Sequence, residues 1–327
     1  MVSQRNKNID VARGLLIILM VLGHTGFIGT RFIYLFHIPS FVFISGYLHK
    51  DDYSFSKLYN RFKSLYFPFV KYSFLFLISI NFFVALGIAE IELVTNSNIL
   101  KKLSDIFLMK GLGSFLGAFW YFTMILEVIF MYVFLDILLK KIKTLSIVII
   151  ILTTLMFVFI SAGYEMPAYI DRSVLMLFPY HAGRLFKKHQ TLFSHKTKVF
   201  FLSFIAILII YFIGFEINIG SRILPNIFIY LISLFSGFFL VMSLSNIIVV
   251  NKFEKLFSYL GKNTIIILAF HFFSFKLLDL IIYNFNNLSD FDLSRFPISF
   301  DNSIFFSLAY LIIGLSLPIL IKRFLRL

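Results

Sequence analysis

Apolar residues run down this chain in long uninterrupted blocks, without the two-residue alternation of half-buried strands, and short basic clusters separate the blocks. Backbone groups facing hydrocarbon must bond within their own segment, so such blocks predict membrane-spanning helices. They fall at about Val11–Phe27, Tyr34–Leu48, Leu65–Ala89, Phe115–Leu139, Ser146–Ser161, Ser173–Phe186, Val199–Phe215, Pro225–Leu244, Thr264–Tyr283 and Ser303–Ile321. Crossing the hydrocarbon takes about 20 residues, and the second, fifth and sixth blocks are short for that task. The pattern predicts an all-α, polytopic transmembrane bundle of about ten helices in a single domain over residues 1–327.

The basic residues orient this bundle. With the N-terminus cytoplasmic, inner segments collect Arg5, Lys7 and Arg13, then Lys50, Lys57, Arg61 and Lys63, then Lys140, Lys141 and Lys143. They continue with Arg184, Lys187, Lys188, Lys196 and Lys198, then Lys252, Lys255 and Lys262, and end with Lys322, Arg323 and Arg326. Outer segments hold only Arg31, Lys101, Lys102, Lys110, Arg172, Arg222 and Arg295. This threefold excess is the positive-inside asymmetry, and it places both termini in the cytoplasm. The net charge of +14 is then topology, and nucleic acid is not an expected partner. Composition agrees: 60% of the 327 residues are apolar and 14% charged, too few polar groups to cover a soluble domain. Arg5 and Lys7 ahead of an apolar block resemble a leader, but no small-x-small cleavage site follows, so a retained first helix is expected. The absence of cysteine removes disulfides, thiolate metal sites and a thiol nucleophile.

Ionisable groups inside spans are costly, so each is a candidate for function. They are Arg13 and His24 in the first block, His37 in the second, Lys71 in the third, Glu127 in the fourth, His181 in the sixth, and His271, Lys276 and Asp279 in the ninth. Arg13 and His24 are eleven residues apart, which in a continuous helix returns to within about 20° of one face, about 16 Å along the axis. An imidazole exchanges protons near neutral pH, and a guanidinium holds phosphate with a fork of donors. One stripe bearing both suits a phosphate-headed donor whose reactive end reaches into the membrane. The competing explanation is basic anchoring for Arg13 and a helix–helix hydrogen bond for His24. His37 is expected at the outer level near His24, in a segment that Pro39, Ser45 and Gly46 predict to be kinked and closely packed. Trp120 suits an interfacial belt, and Glu127, on the same helical face, needs His271, Lys276 or a bound hydroxyl as partner, or else a proton. Arg61, Lys63 and Arg184 are candidate phosphate contacts on the cytoplasmic side, and His49, His189 and His195 are expected to be solvated loop residues. No Gly-rich phosphate loop, Ser-centred elbow or His-x-x-His metal arrangement occurs.

Asn8-Ile-Asp-Val-Ala-Arg-Gly14, Gly23-His24, Tyr34 and Phe36-His-Ile-Pro39, and Ser45-Gly-Tyr47 together resemble the acyltransferase-3 family, and within it the fucose 4-O-acetylase-like membrane O-acetyltransferases. Phe119-Trp-Tyr-Phe122 and Gly261-Lys-Asn-Thr264 with His271 fit the same pattern. The resemblance implies ten transmembrane helices in the bacterial cytoplasmic membrane. It also implies acetyl transfer from acetyl-CoA, with no metal, to a hydroxyl of a cell-surface glycan or lipid-linked sugar. Arg13 and His24 match the family's Arg-x10-His pair. The family's Arg-x-x-Arg after the second span is not reproduced, because Ser64 stands three residues after Arg61. Lys63 offers a point charge there, not a fork.

These expectations assign acetyl-CoA phosphates to Arg13 and Arg61, with Lys63 or Arg184. His24 is assigned as general base, or as a transient acyl carrier, with Glu127, His37 or His271 orienting the base or the acceptor. A transporter of a glycan or lipid-linked precursor is the alternative, though matching broken helices in two halves are not evident. A silent partner in polysaccharide assembly is a third.

Overall fold

The computed structural model describes residues 6–50, 55–187, 196–286, 292–300 and 303–324; Lys188, His189 and His195 lie outside them. The helices are, in order, α1 (Lys7–Leu22), α2 (Thr30–Tyr34), α3 (His37–Tyr47), α4 (Phe55–Ala85), α5 (Ile99–Phe107), α6 (Trp120–Leu139) and α7 (Ile142–Ser161). They continue as α8 (Ile170–Leu175), α9 (Leu177–Phe186), α10 (Lys196–Ile213), α11 (Ile227–Ile248), α12 (Glu254–Lys262), α13 (Thr264–Asn286) and α14 (Ile304–Phe324). Among the described residues there is no β-strand, as expected from blocks without alternation, only an isolated bridge between Asn218 and Ile223.

Among the described residues, six helices are long and apolar enough to cross a membrane: α4, α6 with the turn before it, α7, α11, α13 and α14. The other four expected spans are shorter or broken. The second divides at Leu35–Phe36 into α2 and α3, and the sixth divides at Met176 into α8 and α9. An 11-residue helix such as α3 rises about 16 Å, half the hydrocarbon thickness. The first ends at Leu22, five residues early, and α10 is 18 residues long. Conversely, α4 starts ten residues before its expected block, so Arg61 and Lys63 lie on a helix and not in a loop. Helices α5 and α12 fall in segments expected to be irregular.

The helices gather into two compact units. One contains α1 to α3, most of α6, and α7 to α12. Its centre is the pair α3 and α9, whose backbones touch because two glycines leave room. A methyl group on Gly46 would sit 1.8 Å from the Tyr180 carbonyl oxygen, and one on Gly183 would sit 2.0 Å from that of Phe43. Helices α1 and α12 meet the same way, Gly261 against Asp10 and Gly14 against Phe257. Close packing was expected of α3, and the chain breaks just before it, between α2 and α3. Pro39 falls in the first helical turn, where its missing N–H costs nothing, and the break precedes it.

Around this pair lies a buried polar network. Arg184 binds Asp136 at 2.7 Å and donates to Tyr132 at 3.3 Å. The Tyr132 hydroxyl meets His181 Nδ1 at 2.8 Å, and Ser146 meets His181 Nε2 at 2.8 Å. His49, expected to be solvated, is 1% exposed, bonded to the Tyr180 hydroxyl at 3.1 Å, with Asp136 3.8 Å away. Its seat just past α3 draws it into the interior.

The second unit holds the Val21–Ile28 turn, α4, α5, α13 and α14. Gly314 admits the Phe275 ring between α13 and α14. The Asn81 side chain brackets Val94, pinning the chain beyond α4.

Gly46→Ala is expected to destabilise the protein by about 1–3 kcal/mol, since a backbone carbonyl cannot yield as a side chain can. Thermal unfolding in detergent should show a lowered midpoint, while Gly111→Ala, with open space around it, leaves the midpoint unchanged. By the same measurement, Asp136→Asn should cost more than Asp105→Asn, whose Lys110 partner is exposed.

Candidate active site

In the second unit, the turn after α1 meets the middle of α13. Helix α1 closes at Leu22 because Gly26 takes a positive φ of 68° and Thr25 donates from both its amide and its hydroxyl to the Leu22 carbonyl, at 3.1 and 2.9 Å. Ser307 on α14 grips the Thr25 carbonyl at 3.1 Å. His24 is therefore carried on a braced turn, half-buried, and its ring centroid lies 5.5 Å from that of His271 on α13. The Phe272 ring lies beside both, 5.0 Å from His24 and 4.0 Å from His271.

His271 is fully buried, and its Nδ1 lies 3.0 Å from the Leu268 carbonyl and 3.2 Å from that of Ile267. A carbonyl only accepts, so Nδ1 carries the hydrogen and a neutral ring keeps its lone pair on Nε2. Among the described residues, Nε2 has no hydrogen-bond partner. A buried acceptor without a donor beside a second imidazole is an arrangement suited to receiving or steadying a proton.

Each of the other expected site residues has its own local setting. Arg13 is half-buried on α1, in the first unit, while His24 belongs to the second. The helix itself ends at Leu22, two residues before His24, whose amide donates to the Val21 carbonyl at 3.1 Å in the turn that follows. Arg61 is half-buried on α4, with Ser64 donating to its carbonyl at 2.7 Å, and Lys63 lies over the Tyr59 ring at 4.3 Å. Arg184 is the cation of the Asp136 pair. His37 is buried in the first unit, its Nδ1 3.1 Å from the Ile33 carbonyl and its ring beside Tyr34. Glu127 receives a 2.6 Å hydrogen bond from Ser173, a hydroxyl partner supplied by the protein itself. Lys276, a suggested partner of Glu127, is bonded to Asp279 at 2.9 Å. Trp120 is half-buried next to Tyr121.

Several polar residues of these clusters were not anticipated as site candidates. Asp136 falls within the fourth apolar block and carries the same signal as Glu127, a carboxylate where it is costly. Asp171 is fully buried and ion-paired to Arg222 at 2.5 Å, with Glu165 3.0 Å from the same guanidinium. That pairing joins segments about fifty residues apart in sequence, which no local pattern announces.

A family model described as an acyltransferase domain, acyltransferase 3, matches residues 6–323. No curated protein and no solved structure matches the chain. The match spans almost every described residue and includes both imidazoles of the braced turn and α13, so the chain belongs to the acyltransferase 3 family and is a multi-pass membrane acyltransferase.

Proposed function

We propose that this acyltransferase moves an acetyl group from acetyl-CoA, offered at the cytoplasmic face, to a hydroxyl of a cell-surface glycan or its lipid-linked precursor. The observation that carries the reading is the His24–His271 pair, with its unoccupied buried Nε2. His24 takes the proton from the acceptor hydroxyl as the oxygen attacks the thioester carbonyl. The C–S bond breaks, and the departing thiolate recovers a proton from the imidazolium. His271 is a positioning residue, its Nε2 lone pair accepting from the other ring N–H of His24 and so stabilising the imidazolium. Family membership favours transfer over transport, so a carrier role is not retained.

The phosphates of the donor are assigned to Arg13 and Arg61, with Lys63 as an added point charge. Arg184 can join them only by exchanging Asp136 for a phosphate. His37 and Glu127 remain acceptor-orienting residues in this reading. The threefold basic excess on alternate segments supports ten crossings with both termini in the cytoplasm of a bacterium, the short and broken helices completing the count within protein surroundings.

Purified protein given radiolabelled acetyl-CoA and glycan should incorporate label, and His24→Ala should lower that rate about 10²–10⁴-fold without changing the elution profile of the protein. Wild-type rates in His24→Ala would sink the mechanism. His271→Asn should lower kcat by less than His24→Ala and leave the acetyl-CoA KM in place, because it removes a support and not the base.

A further inference from the structure

One buried ion pair in the second unit is not used by this chemistry, and it holds a segment against the histidines. Lys276 and Asp279, one turn apart on α13, are both fully buried. The Lys276 ammonium bonds Asp279 and the Leu293 carbonyl at 2.9 Å, the Ser299 hydroxyl at 3.1 Å, and the Arg295 carbonyl. Asp279 accepts from the Ser299 amide at 3.0 Å and from the Tyr310 hydroxyl of α14. Every donor of Lys276 is thus used, and most of them fasten the stretch at 292–300. That stretch presents Phe296, 38% exposed, with its ring 4.6 Å from Phe272 and edge-on to it. Phe272 in turn touches both histidines. Both rings border Gly117, where a methyl group would make ordinary contact, 3.4 Å from Phe272 and 3.6 Å from Phe296.

We propose that Phe296 is the acceptor-contacting residue of this enzyme, an aromatic platform for the C–H face of a sugar ring, and that Lys276 and Asp279 position it. The inference rests on the acetyl-transfer reading above. An aromatic face carries partial negative charge and attracts such C–H groups, while the hydroxyl edge of the same ring is left toward the imidazoles.

The test uses purified full-length protein, acetyl-CoA, and the methyl pyranosides of mannose, galactose, glucose and fucose as acceptors. Phe296→Ala should raise the acceptor KM about tenfold and leave the acetyl-CoA KM unchanged, and Phe296→Tyr should restore the wild-type value. Lys276→Met combined with Asp279→Leu removes the clamp without stranding a buried charge, and should raise the acceptor KM in the same direction. An unchanged acceptor KM in Phe296→Ala, or a rise in the acetyl-CoA KM instead, overturns the proposal while acetyl transfer stands. If wild-type protein acetylates none of the glycosides, the transfer reading itself fails, and this inference with it.

Discussion

Hydrocarbon offers no hydrogen bonds, so every polar group carried into it must find its partner within the protein. For the backbone this enforces helices. For side chains it turns each buried donor or acceptor into a constraint on packing. Arg184 reaches Asp136 and Tyr132, Lys276 reaches four acceptors, and Ser307 reaches the carbonyl that the turn at Thr25 leaves open. These contacts decide which elements meet. The apolar surface, uniform along most helices, has little power to choose among registers by itself, because lipid tails and apolar side chains attract equally.

The same constraint separates what was legible in the sequence from what was not. Helices α4, α6, α11, α13 and α14 announce themselves by length, since an exposed span must be continuously apolar. Helices α3 and α9 are clad by protein on most sides and need neither length nor uninterrupted apolarity. Their short, small-residue-rich segments therefore look like weak spans. Their real signal is Gly46 and Gly183, which matter only once the two helices are known to be partners. His49 failed for a related reason. A histidine beside Lys50 suggests solvent, but its surroundings are set by Tyr180 and Asp136, far away in sequence.

The candidate site was half legible. His24 and His271 both stand out as ionisable groups at depth, and they are neighbours in the folded chain. Their adjacency was not legible, because it depends on the turn that Gly26 makes after α1 and on the grip of α14 upon that turn. The Arg13–His24 stripe rested on an ideal helix continuing through His24. Helix α1 ends at Leu22, so the last two residues of that spacing lie in a turn, where ideal helical periodicity no longer fixes side-chain direction.

A final regularity links fixing a residue with leaving it neutral. Where this chain buries full charges deeply, it opposes them at once, as in Lys276 with Asp279 and Asp171 with Arg222, and both pairs hold segments in place. His37 and His271 are treated differently. Each ring sets Nδ1 against a carbonyl four residues back, which fixes the tautomer and aims Nε2 away from its own backbone. A neutral imidazole held in this way avoids the large desolvation cost of an ion, yet it keeps a lone pair ready for a proton. Opposed charges are suited to structure because neither partner can leave cheaply. An oriented neutral base is suited to catalysis because its charge exists only while the proton is in transit, and this difference is why the proposed chemistry is placed on the paired histidines and not on the buried ions.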